Sequence, residues 1–163
     1  MPNPIISAAL ATQLSTLERV YTPDTSEALG YGRDLSCVDD LAPDFGDVDP
    51  QSTRAIAEAL ARRLMTPRGT LLDDPTYGLD LRQYLNTGLV LPNGVADVSI
   101  AVRGECRKDD RVDDLTVTVD YTLATRVMQI ALTVTPVDVA LGVFTFTLVL
   151  DAAGVVTLGF GNG

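Results

Sequence analysis

The sequence contains no histidine and no tryptophan. Without histidine there is no Ser-His or Cys-His nucleophilic pair, and the commonest metal ligand is gone. Without tryptophan there is no large indole face on which a sugar ring could stack. Only two cysteines occur, Cys37 and Cys106. They are too few for a disulfide scaffold and lack metal-ligand spacing, so both are expected as free thiols in a chain made in a reducing cytoplasm. Cations are scarce: 12 Lys and Arg stand against 22 Asp and Glu, a net charge of −10. That balance is wrong for phosphate backbones, which reward clustered Lys and Arg. No run approaches the roughly 20 apolar residues of a membrane span. No basic segment precedes the apolar N-terminal stretch, which argues against a secretory signal. Neither nucleic acid, membrane, metal nor cofactor is expected as a partner.

What is present suits a globular chain. Hydrophobic residues make up 46% and charged ones 21% of 163 residues, enough for one core. Residues 1–50 read as an N-terminal helix followed by an acidic, turn-rich linker, and residues 51–163 as an α+β domain. In 2–20, Ile6, Leu10, Leu14 and Leu17 recur as on one stripe of a helix, with Pro2 and Pro4 suited to its start. Such a stripe packs on its own domain or docks on a neighbouring subunit. The linker holds six acids: Asp34, Asp39, Asp40, Asp44, Asp47 and Asp49. Clustered oxygens bind hard cations, but the calcium-loop spacing and its closing glutamate are missing, leaving a solvated acidic loop, extended over about 36–41. Asp49 or Ser52 then supplies a capping oxygen for a helix.

Residues 54–86 are the organising stretch. Ile56, Leu60 and Leu64, with Ala57 and Ala61, give a helix one apolar face. Arg54, Glu58, Arg62 and Arg63 are assigned to the opposite face. Thr66-Pro67 stops the helix, Arg68-Gly69 supplies a turn, and Asp73-Asp74-Pro75 with Tyr77-Gly78 is a second punctuation. Leu79, Leu81 and Leu85 belong to another short helix. The result is two helices joined by a glycine-pinned corner. After a turn at 88–94, a third helix runs from Val95 to about Arg107, with Val95, Val98 and Val102 on one face and Ile100 beside them. From Arg111 the period becomes two. Leu115, Val117, Val119 and Tyr121 make one strand; Met128, Ile130, Leu132 and Val134 a second; Phe144, Phe146, Leu148 and Leu150 a third. Residues 155–160 add a short fourth strand or tail after a hairpin loop at Asp151–Gly154. The fold class expected is therefore α+β, with N-terminal helices on one face of a small antiparallel meander of three or four strands and a threonine-rich face outside.

The run RRLMTPRGTLLDDPTYGLDLRQYLN resembles the signature of the sheath-initiator family of contractile tails, also labelled baseplate wedge or "lysozyme-like" proteins. Related subunits occur in contractile phage baseplates, R-type pyocins, extracellular injection systems and type VI secretion baseplates. The family's pattern is an arginine-rich helix end, Thr-Pro-x-Gly, an Asp-Pro-x-Tyr-Gly-like turn, a short helix, and a Glu-Pro-Arg motif before a small sheet. The last motif stands here as Glu105-Cys106-Arg107, with proline replaced. The resemblance covers roughly residues 31–150. It implies a structural protein of the virion baseplate, assembled in the host cytoplasm as six copies in a ring. Its partners would be baseplate wedge proteins and the tail sheath, and possibly the tail tube or hub. It further implies no catalysis and no cofactor.

Two sets of candidate contact residues follow. Glu105 and Arg107, with Arg62, Arg63 and Arg68, are candidates for the baseplate interface; the alternative is internal pairing, with Asp73, Asp74 or Asp80 as partners of the arginines. Leu115, Val117, Val119, Phe144, Phe146 and Leu148, on candidate edge strands 114–122 and 143–150, are candidates for the sheath interface, because an open edge accepts another chain's strand. Two competing classes remain. A peptidoglycan hydrolase would need two carboxylates across a cleft, one with a raised pKa, and no sequence context marks such a pair. A non-catalytic binding module would need a lined pocket.

Overall fold

The computed structural model describes residues 34–37, 43–87, 93–154 and 156–160. The stripe at Ile6–Leu17 lies outside the described residues, as does most of the turn at 88–94. Part of the acidic linker is more regular than expected: β1 (Asp34–Cys37) and β2 (Pro43–Val48) form an antiparallel pair.

Helix α1 spans Thr53–Met65. Of the two expected capping residues, Ser52 is the cap, and Asp49 shapes the turn that leads into it. Ser52 Oγ accepts the Ala55 N–H at 3.1 Å, and Asp49 Oδ1 accepts the Gln51 N–H at 3.0 Å. The helix stops where Pro67 requires: Thr66 donates its N–H and its hydroxyl to the Arg62 carbonyl, at 3.0 and 2.7 Å. Ile56, Ala57, Leu60, Ala61 and Leu64 are buried as their spacing dictates. Glu58 corrects the expectation. It is fully buried rather than on the solvent face, because position 58 borders the Ala57–Ala61 stripe. Arg54 Nε at 2.6 Å and Arg62 Nη1 at 3.6 Å, each four residues away, meet its carboxylate.

The corner has a fixed shape. Gly69 and Gly78 take φ of +80° and +100°. Gly78 also lies so close to the end of α1 that a Cβ there would sit 2.2 Å from the Thr66 carbonyl oxygen. The Leu81 N–H donates to the Leu64 carbonyl at 3.0 Å, tying the returning chain to a free helix end. Helix α2 spans Arg82–Thr87. Leu81 is buried just before it, with Leu79, Tyr84 and Leu85 packed against the core. Helix α3 spans Gly94–Cys106 and buries Val98, Val102, Glu105 and Cys106. Val95 and Ile100 are exposed, Ile100 to 71%. At 100° per residue, Ile100 lies about 200° around the helix from Val98, on the side away from the sheet.

Strands β3 (Val112–Thr122), β4 (Val127–Pro136), β5 (Phe144–Leu150) and β6 (Val156–Phe160) pair antiparallel in sequential order, so the sheet is a four-stranded meander. Leu115, Met128, Ile130, Leu132, Val134, Phe146, Leu148, Leu150 and Val156 lie in one cluster with the buried faces of α1 and α3. The fold class is thus α+β, helices on one sheet face. Threonines occupy the other: Thr116 pairs with Thr133, and Thr133 with Thr145, whose hydroxyls are 3.1 Å apart. Among the described residues, no helix is long and apolar enough to cross a membrane.

Candidate functional site

Glu105 is 1% exposed, in the last turn of α3, and its carboxylate gathers the elbow. Oε1 accepts from Arg63 Nη1 at 3.1 Å and from the Gly78 N–H at 3.0 Å. Oε2 accepts from Arg68 Nη2 at 3.2 Å and from Lys108 Nζ at 2.8 Å. Burial pushes this carboxyl's pKa up, but Lys108, the Gly78 N–H and Arg63 outweigh it and hold the group below its ordinary value. Arg63 also lies over the Tyr77 ring, 4.2 Å from its centroid. Arg68 Nε donates to the Gly78 carbonyl at 2.8 Å, and Lys108 Nζ to the Thr76 carbonyl at 3.0 Å. One carboxylate therefore joins α1, the corner and α3.

Arg107 points elsewhere. Residues two apart on a helix face away from each other, so Glu105 and Arg107 do not converge. Arg107 Nη2 meets Asp114 Oδ1 at 2.6 Å, where Arg103 Nη2 also reaches it at 3.3 Å. Asp114 follows the bulge at the start of β3. The Leu115 N–H, first, and the Arg107 guanidinium hold its carboxyl below the usual range. Of the five residues expected at a baseplate interface, then, Glu105 has no surface to offer a partner. Arg62, Arg63, Arg68 and Arg107 all form internal ion pairs, while Arg68 and Arg107 keep about half of their side chains exposed. The expected acceptors were wrong: glutamates take Arg62, Arg63 and Arg68, while Asp74 bonds to Thr76 and Asp80 to Gln83. Cys106 continues α3 into the core with its N–H intact. Burial there pushes its thiol up to about 12, which leaves it inert.

The sheet's rims form the second element. Val137 N–H donates to the Arg111 carbonyl at 2.9 Å, and Val112 faces Pro136, which has no N–H to give. Alternation from that point makes Thr116, Thr118, Asp120 and Thr122 the residues bonded to β4. The backbone groups of Leu115, Val117, Val119 and Tyr121 consequently face off the sheet. The near half of this rim is guarded by α3, whose Ser99 Oγ donates to the Val117 carbonyl at 3.4 Å. Among the described residues, no hydrogen bond reaches the outward groups of Val119 and Tyr121. The same alternation carried across β4 and β5 turns Leu158 outward on β6.

This corrects the expected sheath-contact set. Strand 143–150 is not an edge, since β5 lies between β4 and β6. Leu115, Phe146 and Leu148 are buried, and Val117, Val119 and Phe144 are partly buried against the core, so what β3 leaves accessible is backbone rather than those side chains. Sequence reasoning missed Lys108 and Gly78 as partners of Glu105, and Ser99 as an edge cap. The i, i+3 spacing of Glu105 and Lys108 was a local signal; the other contacts join residues far apart in sequence. Among the described residues, no three metal-ligating side chains come together. The sequence matches no protein-family model and no curated protein.

Proposed function

We propose that this chain is a sheath initiator of a contractile-tail baseplate, a structural subunit on whose open sheet edge the first sheath subunits add a strand. The observation that carries the reading is the unguarded half of β3. Its outward N–H and C=O groups at Val119 and Tyr121 continue a well-formed ladder and meet no partner among the described residues. Edge groups of this kind template an added strand, and β6 offers the second rim. The elbow, braced by Glu105, would hold the sheet in the ring, with Arg68 and Arg107 as the anchoring cations nearest solvent. Glu105 does not suit the general acid of a hydrolase, which needs a raised pKa, because its cations and the Gly78 N–H hold this buried carboxyl below its ordinary value.

Proline substitution tests the reading. At Val119 or Leu158 the N–H faces away from the sheet, so proline removes the outward donor and leaves the internal ladder whole. Each variant, confirmed as folded by circular dichroism, is supplied to an assembly reaction containing baseplate and sheath subunits. The expected result is baseplate docking without sheath polymerisation for at least one of the two. Normal sheath growth on both would overturn the proposal.

A further inference from the structure

Between Pro67 and Gly78 the chain makes a loop whose tip is apolar. Leu72 is 94% exposed and Leu71 43%. The loop is held from within. Gly69 N–H donates to the Pro75 carbonyl at 3.1 Å and Thr70 N–H to the Pro67 carbonyl at 3.3 Å. The Asp74 carboxylate accepts from the Thr76 N–H and hydroxyl at 3.1 and 2.8 Å. Its base is bolted to Glu105 through Gly78, Arg68 and Lys108. A leucine on such a mount has its backbone ordered before any partner arrives, so docking costs little further entropy. Large apolar side chains presented in this way are the anchors that fill a partner's pocket.

The chemistry beside the tip specifies the pocket. Asp73 is exposed and Asp74 adjoins it, so the complementary surface is an apolar recess with a cationic rim. A second copy of this chain is a poor source of that rim, because two chains of net charge −10 repel each other. Exposed Arg126, on the β3–β4 hairpin, is the one cation among the described residues that neither a carboxylate nor a carbonyl of this chain engages. Eight cations among the described residues are already paired with this chain's own carboxylates. Arg82 donates to the Gly154 carbonyl. We propose that the Leu71–Leu72 tip inserts into an apolar pocket rimmed by arginine or lysine on a different polypeptide. This surface is separate from the sheet rim, and its failure would leave the sheath reading untouched.

The test places a photo-crosslinking amino acid, p-benzoylphenylalanine, at position 72 of the full chain in producing cells, with the same probe at exposed Ala96 as the reference. After irradiation, the adduct peptide is sequenced. The expected product is one peptide of another protein, apolar and flanked by Arg or Lys. Adding Asp73→Lys should lower its yield about tenfold, as loss of about 1.4 kcal/mol would. The proposal falls if the adduct is with this chain, with a second copy or with lipid. It also falls if the yield is no higher than at position 96, or if Asp73→Lys leaves it unchanged.

Discussion

In the elbow, the contacts that fix the chain converge on one carboxylate: Glu105 receives three cations and a backbone N–H from three separate segments. In the sheet, by contrast, the inner face is hydrocarbon from β3 to β6, and no single residue holds it. The difference is one of distribution. Apolar burial is a sum over many side chains, each worth about 1.5–3 kcal/mol, and is nearly indifferent to pH and salt. A charged hub is directional and fixes a loop's shape, but a single substitution dismantles it, and it depends on ionisation. A chain that must present a rigid corner and also a strand edge uses each means where it serves.

The largest effect should come from the centre of the sheet. Phe146→Ala empties a fully buried position between Leu132 and Phe160. It should cost about 4 kcal/mol, read as a fall in the denaturant midpoint that is the same at pH 7 and pH 4.5. Glu105→Ala should cost somewhat less, about 3 kcal/mol, because it strands a buried N–H and three cations of which two are partly exposed. The two variants should differ in acid. Glu105 titrates below its ordinary 4.5 in the folded chain. Its contribution is therefore complete above about pH 4.5 and is lost as pH falls through the folded value. Asp109, lowered by Arg111 against burial, behaves likewise from 3.8 downward. Thermal melts from pH 7 to pH 3 should show a shallower acid loss for Glu105→Gln than for the parent chain. Equal slopes would mean that the carboxylate is not the elbow's fastener.

The corner glycines sharpen the same contrast at smaller scale. Both have positive φ, but only Gly78 touches backbone: a Cβ there would meet the Thr66 carbonyl, whereas at Gly69 it would meet nothing within 4 Å. Gly78→Ala should cost about 2–3 kcal/mol and Gly69→Ala about 1 kcal/mol. Melting temperatures of the two variants decide it, and equal losses would show that conformation alone, not the close approach, sets the elbow.

How much of this could be read in advance follows the same division. Period-two alternation located β3, β4 and β5, and Ile56, Leu60 and Leu64 located the buried face of α1, because local spacing determines which side chains share a face. Thr66-Pro67 and Gly78 marked the turns for equally local reasons. The hub was not legible. Nothing near Glu105 in sequence announces Arg63, Arg68 or Gly78 as its partners, since these lie 42, 37 and 27 residues away. Glu58 was misassigned because residue type was allowed to outweigh position, although Arg54 and Arg62 stand four residues to either side. The mistaken edge at 143–150 has another origin. Strand order cannot be read from alternation, and β6 is short enough to pass for a tail.

The smallest predicted effect separates the guarded from the unguarded half of the rim. Ser99→Ala removes one long hydrogen bond, 3.4 Å, to the outward carbonyl of Val117. It should cost only about 0.5 kcal/mol, near the low end for a hydrogen bond, and leave the melting curve almost unchanged. Its consequence lies in the edge. With the cap gone, the open ladder lengthens from Val119 and Tyr121 back to Val117, so an added strand gains a further acceptor. A β-strand peptide complementary to β3 should therefore bind Ser99→Ala more tightly than the parent, by about twofold to fivefold, the increment of a bond worth about 0.5–1 kcal/mol. Calorimetric titration reads this directly. Unchanged affinity would show that α3 covers Val117 by its bulk rather than by the serine hydroxyl.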